Sequence, residues 1–311
     1  CECEDCKAIN EREGGPSGSV IEFVNRVAAR FPDYDIATLS YTYTKHPPLT
    51  LRPAANVPIV LCSYEVDRQQ TIPAGERNQS FRQDIENWAR VCGHLVVWDY
   101  QINFRHLLNP YPNFHILQDN FKFFAANNVK GIFAQGNNHA NGEFCGLRGY
   151  LLAKLLWNPS CDLDYHKRDY LEGYFQEAAG PVGRYIDLMA QALQDSGNKM
   201  GIYDDPDRHS EGFLSREMID RYDTLFDEAE QLSAGIPEIL ARVRKARLPL
   251  MNVKLQLKLG TLEQRRTLAT EFFQLVEQAG VYQFSEIRHP RDEYRELVFH
   301  TLEQEAVQLQ P

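Results

Sequence analysis

The segment Val57-Pro-Ile-Val-Leu-Cys-Ser-Tyr-Glu65-Val-Asp67 has a residue pattern that occurs a second time in the chain. The second segment is His94-Leu-Val-Val-Trp-Asp99-Tyr-Gln-Ile-Asn-Phe104. Each begins with a run of Val, Ile and Leu and ends on carboxylates and aromatic side chains. Continuous apolar runs are typical of parallel strands that are covered on both faces. Since sites in such folds form at the carboxyl ends of the strands, we predict a parallel sheet with Glu65 and Asp99 at its polar edge.

Helical and extended patterns alternate on both sides of these two segments. Residues 17–31 and 81–89 show a helical apolar period, and 35–44 and 129–135 read as further strands. Strand and helix in alternation predict right-handed βαβ units. Four strands in this length match the C-terminal half of a (β/α)8 TIM-type barrel, with the other strands expected before Cys1. A doubly wound sheet is the alternative, but its glycine-rich phosphate turn is absent from the sequence.

The second half of the chain has a different character, with several helical periods and no convincing strand after Gly146. We therefore predict two domains. Residues 1–160 form the C-terminal part of the α/β barrel, and residues 161–311 form an all-α helical domain.

Composition restricts the partners. The 311 residues carry a net charge of −10, so a nucleic acid is not expected as the main partner. The apolar runs are too short to span a bilayer, and no signal peptide opens the chain. Because the first residue is Cys and not Met, we expect a processed or truncated chain.

Three of the seven cysteines open the chain as C-x-C-x-x-C, at Cys1, Cys3 and Cys6. This spacing is found in metal-ligand loops, so a structural zinc ion is one interpretation and a disulfide-tied or reduced loop is the other. No other cofactor is expected. The remaining four lie in apolar surroundings and are predicted to be core residues: Cys62, Cys92, Cys145 and Cys161.

Several longer motifs carry a family resemblance. They are Leu61-Cys-Ser-Tyr-Glu65, Trp98-Asp-Tyr-Gln-Ile-Asn-Phe104, Pro110-Tyr-Pro-Asn113, Gln135-Gly-Asn137 and Leu147-Arg-Gly-Tyr-Leu-Leu-Ala-Lys-Leu-Leu-Trp157-Asn-Pro159. With the opening cysteines, they resemble glycoside hydrolase family 163, formerly a bacterial domain of unknown function. The resemblance implies a (β/α)8 barrel with a helical C-terminal domain. It also implies retaining endo-β-N-acetylglucosaminidase activity on complex N-glycans, in a secreted, periplasmic or cell-surface protein.

Glycoside hydrolysis requires a protonated carboxyl and a second group that meets the positive charge at the anomeric carbon. Glu65 is the first candidate and Asp99 its partner, while Glu143 is an outside candidate for acid or base. The alternative for each is a structural carboxylate. Aromatic faces match the C–H surfaces of sugars and amides match their hydroxyls, which gives the predicted sugar-binding residues: Tyr41, Tyr43, Trp98, Tyr100, Asn103, Gln135 and Asn137.

Other functions fit parts of the same pattern. An exo-acting hexosaminidase or an α-glucuronidase-like enzyme would use a similar barrel. A non-catalytic carbohydrate-binding module would use the aromatic side chains without the carboxylates. A helix-rich interaction protein would use the cysteine loop to bind zinc. The partner expected first is an oligosaccharide or the N-glycan of a glycoprotein.

Overall fold

The computed structural model describes residues 1–136, 141–287 and 290–308. In these ranges the protein is a mixed α/β structure. Its helices are α1 (Glu4–Glu13), α2 (Ser17–Ala28), α3 (Gln79–Val91), α4 (Phe114–Ala126), α5 (Cys145–Trp157), α6 (Leu163–Phe175), α7 (Ala179–Ser196), α8 (Arg216–Ser233), α9 (Pro237–Gln256), α10 (Leu262–Gln278) and α11 (Arg291–Gln308).

Four strands form one parallel sheet in the order β1-β2-β3-β4. They are β1 (Thr38–Ser40), β2 (Ile59–Cys62), β3 (Leu95–Tyr100) and β4 (Val129–Gln135). The prediction of four parallel strands in the first half of the chain is confirmed.

The chain divides into two compact units. Unit 1 comprises Cys1–Tyr100, Ile116–Gln135 and Asn158–Ser160. Unit 2 comprises Gln101–His115, Gly136–Trp157 and Cys161–Pro311. This division differs from the predicted boundary at residue 160, because two segments from the first half of the chain group with the helices of the second half.

In unit 1 the sheet has a buried face and an open face. The buried face carries Ile59, Leu61, Leu95 and Val97, each at most 1% exposed. The alternate positions point to the open face, where the side chains are half-buried or exposed. The register aligns Leu39, Val60 and Val96 in one row of this open face and Cys62, Trp98 and Phe133 in the next.

The first strand is shorter than predicted, because side-chain bonds turn the chain after Ser40. The backbone N–H of Tyr41 donates to Thr44 Oγ1 at 3.2 Å, and the backbone N–H of Thr44 donates to the Tyr41 carbonyl at 3.0 Å. Thr42 adopts a φ of 48°, and 42–44 form a 3-10 turn. Threonine hydroxyls compete with strand pairing in this way. Tyr43 therefore lies in this turn and not in β1, and the strand predicted over residues 35–44 is wrong beyond Ser40.

Unit 2 contains helices α5 to α11, and side-chain caps fix the start of several of them. Asp162 accepts the N–H of Tyr165 before α6, and Thr261 and Gln264 form a reciprocal capping box at α10. One hydrophobic cluster of this unit joins α9, α10 and α11 with Leu108, around Phe272, Phe273 and Phe284. Within the described ranges, no helix is long and apolar enough to cross a membrane.

Candidate functional site

A continuous row of five aromatic rings lies along the open face of the sheet. From one end to the other it runs Tyr41, Tyr64, Tyr100, Trp98, Phe133, and we call it the aromatic row. The successive ring centroids are 5.9, 6.2, 6.4 and 4.8 Å apart. These spacings are those of favourable edge-to-face and offset contacts, so each ring fixes the orientation of the next.

The parallel register explains how distant residues meet in this row. Trp98 pairs with Phe133 across β3 and β4, and Tyr100 pairs with Gln135. The indole N–H of Trp98 donates to Gln135 Oε1 at 2.7 Å. The indole plane is therefore held by an amide that itself lies at the carboxyl end of β4.

Arg68 holds the loop that follows β2 and carries Tyr64. Its guanidinium is buried and donates to the Ser63 carbonyl at 2.6 Å and to the Tyr100 carbonyl at 3.4 Å. It also lies over the Tyr100 ring, 6.0 Å from the centroid. One cation thus ties the loop after β2 to the end of β3, which keeps two rings of the aromatic row in place.

Glu65 and Asp84 line one small pocket beside this row, together with Tyr41, Tyr64 and Lys45. Glu65 is 61% exposed and its Oε2 accepts from Lys45 Nζ at 2.9 Å. Asp84 lies on α3 and is buried, with His46 Nδ1 2.5 Å from its Oδ1. Burial raises the pKa of the Asp84 carboxyl, although His46 acts in the opposite direction. The pocket volume is only ≈ 20 Å³, which is too small to enclose a sugar-sized ligand.

Asp99 occupies a different environment from Glu65. It lies on the buried face of β3, in the alternation set by Leu95 and Val97. Its Oδ1 accepts from Ser63 Oγ at 2.5 Å and from the Tyr100 N–H at 3.1 Å, and Arg68 Nη2 is 3.9 Å away. These contacts favour a positioning role, in which Asp99 fixes the ends of β2 and β3.

The other predicted sugar-binding residues are dispersed. Tyr43 is 74% exposed in the 3-10 turn. Asn103 is buried in unit 2, where its amide donates to the Asp204 carbonyl at 2.7 Å and its Oδ1 accepts the N–H groups of Arg105 and His106. Asn137 lies outside the described residues. The structure therefore joins four of the predicted residues in one place: Tyr41, Trp98, Tyr100 and Gln135.

Tyr64, Phe133 and Asp84 belong to this site but were not singled out from the sequence. Tyr64 and Phe133 could have been found from the period of two along a strand. Each lies an even number of residues from open-face positions of the strand that it belongs to or follows. Asp84 has no such signal, since it comes from α3 and meets Glu65 only through the tertiary fold.

Unit 2 has its own buried carboxylate, Glu143. It forms an ion pair with Arg148, and Arg148 also contacts Asn113 and lies 4.5 Å from the ring centroid of Phe114. Burial raises the pKa of Glu143, while Arg148 acts to lower it. Among the described residues Glu143 Oε1 has no hydrogen-bond partner. Glu143 therefore remains a candidate acid or base within unit 2.

The cysteines that could hold a metal are Cys1, Cys3 and Cys6, whose Sγ atoms all lie within 4.8 Å of one another. Of the four predicted core cysteines, Cys92 is buried and the other three are partly exposed. Burial raises the pKa of the Cys62 thiol to about 11, so it is a protonated neighbour of the aromatic row.

Comparison with known proteins gives one match. A family model described as "Domain of unknown function (DUF4838)" matches residues 1–187, which is more than half of the chain. No curated protein and no solved structure matches the chain.

Proposed function

The chain belongs to the family described as a domain of unknown function (DUF4838), and from this premise and the geometry of unit 1 we propose that it is a glycoside hydrolase. The observation that carries the proposal is the aromatic row on the open face of the sheet. Five adjacent rings of mixed orientation offer apolar faces with polar edges to an elongated ligand. Oligosaccharides have this alternation of C–H surfaces and hydroxyl groups.

The polar groups around the row suit the same ligand. Gln135 stands at the Trp98 end, while Lys45, Glu65 and Asp84 stand at the Tyr41 end. Neutral amides and carboxylates bind sugar hydroxyls by hydrogen bonds and fix the orientation of the chain. The row would therefore supply affinity, and the groups at its ends would supply orientation.

We assign the two chemical roles to the carboxylates that share the pocket. Asp84 is the proton donor to the leaving oxygen, because its raised pKa favours the protonated form that this step needs. Glu65 is solvent-exposed and negatively charged beside Lys45. It would meet positive charge at the anomeric carbon, either directly or by orienting the acetamide of the substrate. Asp99 would contact neither the leaving oxygen nor the anomeric carbon. It would hold Tyr100 and Ser63 in position.

The finer specification rests on the resemblance to glycoside hydrolase family 163. It is a retaining endo-β-N-acetylglucosaminidase that cleaves complex N-glycans, secreted or exposed at the surface of a bacterium. The same proposal makes the four strands half of a (β/α)8 barrel and makes α6 to α11 a helical C-terminal domain. The parallel strand order supports the first part and the run of helices supports the second.

A carbohydrate-binding module without hydrolysis is the second candidate, and two observations favour it. The pocket between Glu65 and Asp84 is too small to enclose a sugar ring, and Glu65 already has Lys45 as its ion-pair partner. In that case the aromatic row would bind the glycan and no bond would be broken.

The test is product analysis on a glycoprotein that carries a complex N-glycan. Endo cleavage releases the rest of the glycan in one piece and leaves one N-acetylglucosamine on the protein, whereas an exo-acting enzyme releases monosaccharides. Mass spectrometry of both fractions separates the two activities. Binding without any product would refute the hydrolase and support the binding module, and the absence of both binding and product would refute both.

Matched variants assign the roles. Asp84→Asn and Glu65→Gln should lower turnover more than glycan affinity. Both substitutions conserve the shape of the side chain and replace one carboxyl oxygen by an amide nitrogen, so the group can no longer ionise. Trp98→Ala should weaken binding itself. Trp157→Ala is the control, since Trp157 is 92% exposed on α5 of unit 2 and is not part of the aromatic row.

A further inference from the structure

The start of helix α1 brings three thiols together. Cys3 is the residue that caps α1, with an extended backbone and no side-chain capping bond, and Cys6 lies in the first turn of the helix. The Sγ atoms of Cys1 and Cys3 are 3.4 Å apart, and all three sulfurs lie within 4.8 Å of one another. All seven cysteines lie in the described residues, and all are free thiols. The three thiols therefore point to one common position.

Sulfur spacing of this kind matches thiolate coordination of a small cation. Zinc binds thiolates tetrahedrally at about 2.3 Å, which places two ligand sulfurs about 3.8 Å apart. The sulfurs of Cys1 and Cys3 are 3.4 Å apart and no pair is more than 4.8 Å apart, so a small adjustment of the side chains would give this spacing. We propose that Cys1, Cys3 and Cys6 bind one zinc ion through their thiolates, with the fourth coordination position open to solvent.

The surroundings of the three thiols favour a dication. Glu2, Glu4 and Asp5 alternate with the cysteines, so the segment is strongly negative and has no basic residue before Lys7. Cys1 and Cys3 are exposed, which gives an ion direct access and leaves room for a water molecule or an external ligand.

The competing state is a disulfide between Cys3 and Cys6, since C-x-x-C at a helix start is also a redox arrangement. A disulfide uses only two thiols and gives no reason for the third sulfur at 3.4 Å from Cys3. Zinc uses all three. The ion would tie the segment before α1 to its first turn and so hold the helix start in place.

The experiment uses the full chain, reduced and freed of metal, and titrates it with Co²⁺ as a spectroscopic substitute for Zn²⁺. We expect a thiolate-to-cobalt charge-transfer band that saturates at one ion per chain and disappears when Zn²⁺ is added. Cys3→Ser and Cys6→Ser should lose the band. Cys161→Ser is the matched control and should keep it, because Cys161 is also partly exposed but lies apart from the cluster.

A second measurement guards against variants that fail to fold. Circular dichroism should show wild-type helix content in both serine variants, and Zn²⁺ should raise the melting temperature of the wild type but not of the variants. No band in the wild type would overturn the proposal, and so would an equal band in Cys3→Ser. A count of five free thiols instead of seven in protein purified without reductant, with the missing pair mapped to Cys3 and Cys6, would also overturn it, because it would identify a disulfide.

Discussion

Replacing Asp99 by alanine should destabilise the protein far more than replacing Glu65, although each carboxylate closes an apolar run in the sequence. The Asp99 carboxylate is buried, accepts bonds from Ser63 Oγ and the Tyr100 N–H, and lies 3.9 Å from the Arg68 guanidinium. A bond to a charged group contributes about 1.5–3 kcal/mol, and removal of one partner from a buried charge pair costs about 3–5 kcal/mol. We therefore expect Asp99→Ala to lower the free energy of unfolding by about 3–5 kcal/mol.

Glu65→Ala is the comparison. Its ion pair with Lys45 is solvent-exposed, and such pairs contribute about 0–1 kcal/mol. Urea denaturation followed by circular dichroism at neutral pH measures both variants. A Ser63→Ala, Asp99→Ala double-mutant cycle should show a coupling of about 0.5–3 kcal/mol, because the two side chains share a hydrogen bond. If the free energy of unfolding of Asp99→Ala lay within about 1 kcal/mol of the wild-type value, the positioning role of Asp99 would be refuted.

Two further perturbations test the described contacts. The N–H groups of Leu51 and Thr50 lower the pKa of Glu13 to about 2, so its stabilisation is present above the ordinary value of 4.5 and is lost as the pH falls towards 2. Glu13→Gln should therefore flatten the acid limb of stability against pH in urea titrations, and an unchanged limb would contradict the assignment. Arg148→Met leaves Glu143 buried without its cation and should cost about 3–5 kcal/mol in the same assay. Arg216→Ala removes only an exposed pair and should cost less than about 1 kcal/mol, and equal losses in both would contradict the argument.

The sheet could be predicted from the sequence because three of its four strands lie in apolar runs that have their own local signal. The runs before Glu65 and Asp99 become β2 and β3, and the run at residues 129–135 becomes β4. The first strand is shorter than the sequence predicts, because threonine has a high strand propensity and Thr42 and Thr44 extend the predicted strand. Their hydroxyl and backbone contacts turn the chain instead, which propensity does not register.

The direction of each side chain at the strand ends depends on where the strand stops. From the sequence alone, Trp98, Asp99 and Tyr100 are predicted to form one polar strand end that faces a common site. β3 in fact continues through Tyr100, so strict alternation sends the two rings to the open face and Asp99 to the buried face. This outcome follows from period-two geometry once the end of the strand is known.

Contacts between distant segments have no signal in a single sequence. Asp84 reaches the pocket of Glu65 from a helix, and Asn103 leaves the strand region to bond the Asp204 carbonyl in unit 2. In the same segment, the Phe104 N–H donates to the Ile202 carbonyl at 2.8 Å. These long-range bonds, and not the composition of residues 101–115, decide that this segment belongs to unit 2.

The most direct test of the account is calorimetric titration of the protein with a complex N-glycan oligosaccharide, comparing the wild type with Trp98→Ala and Trp157→Ala. Trp98 occupies the aromatic row between Tyr100 and Phe133, and loss of such an anchor typically costs at least about 1.4 kcal/mol, or tenfold in affinity. We predict an affinity at least about tenfold weaker for Trp98→Ala and an unchanged affinity for Trp157→Ala. Wild-type affinity in Trp98→Ala would contradict the claim that the open face of the sheet is where this protein binds carbohydrate.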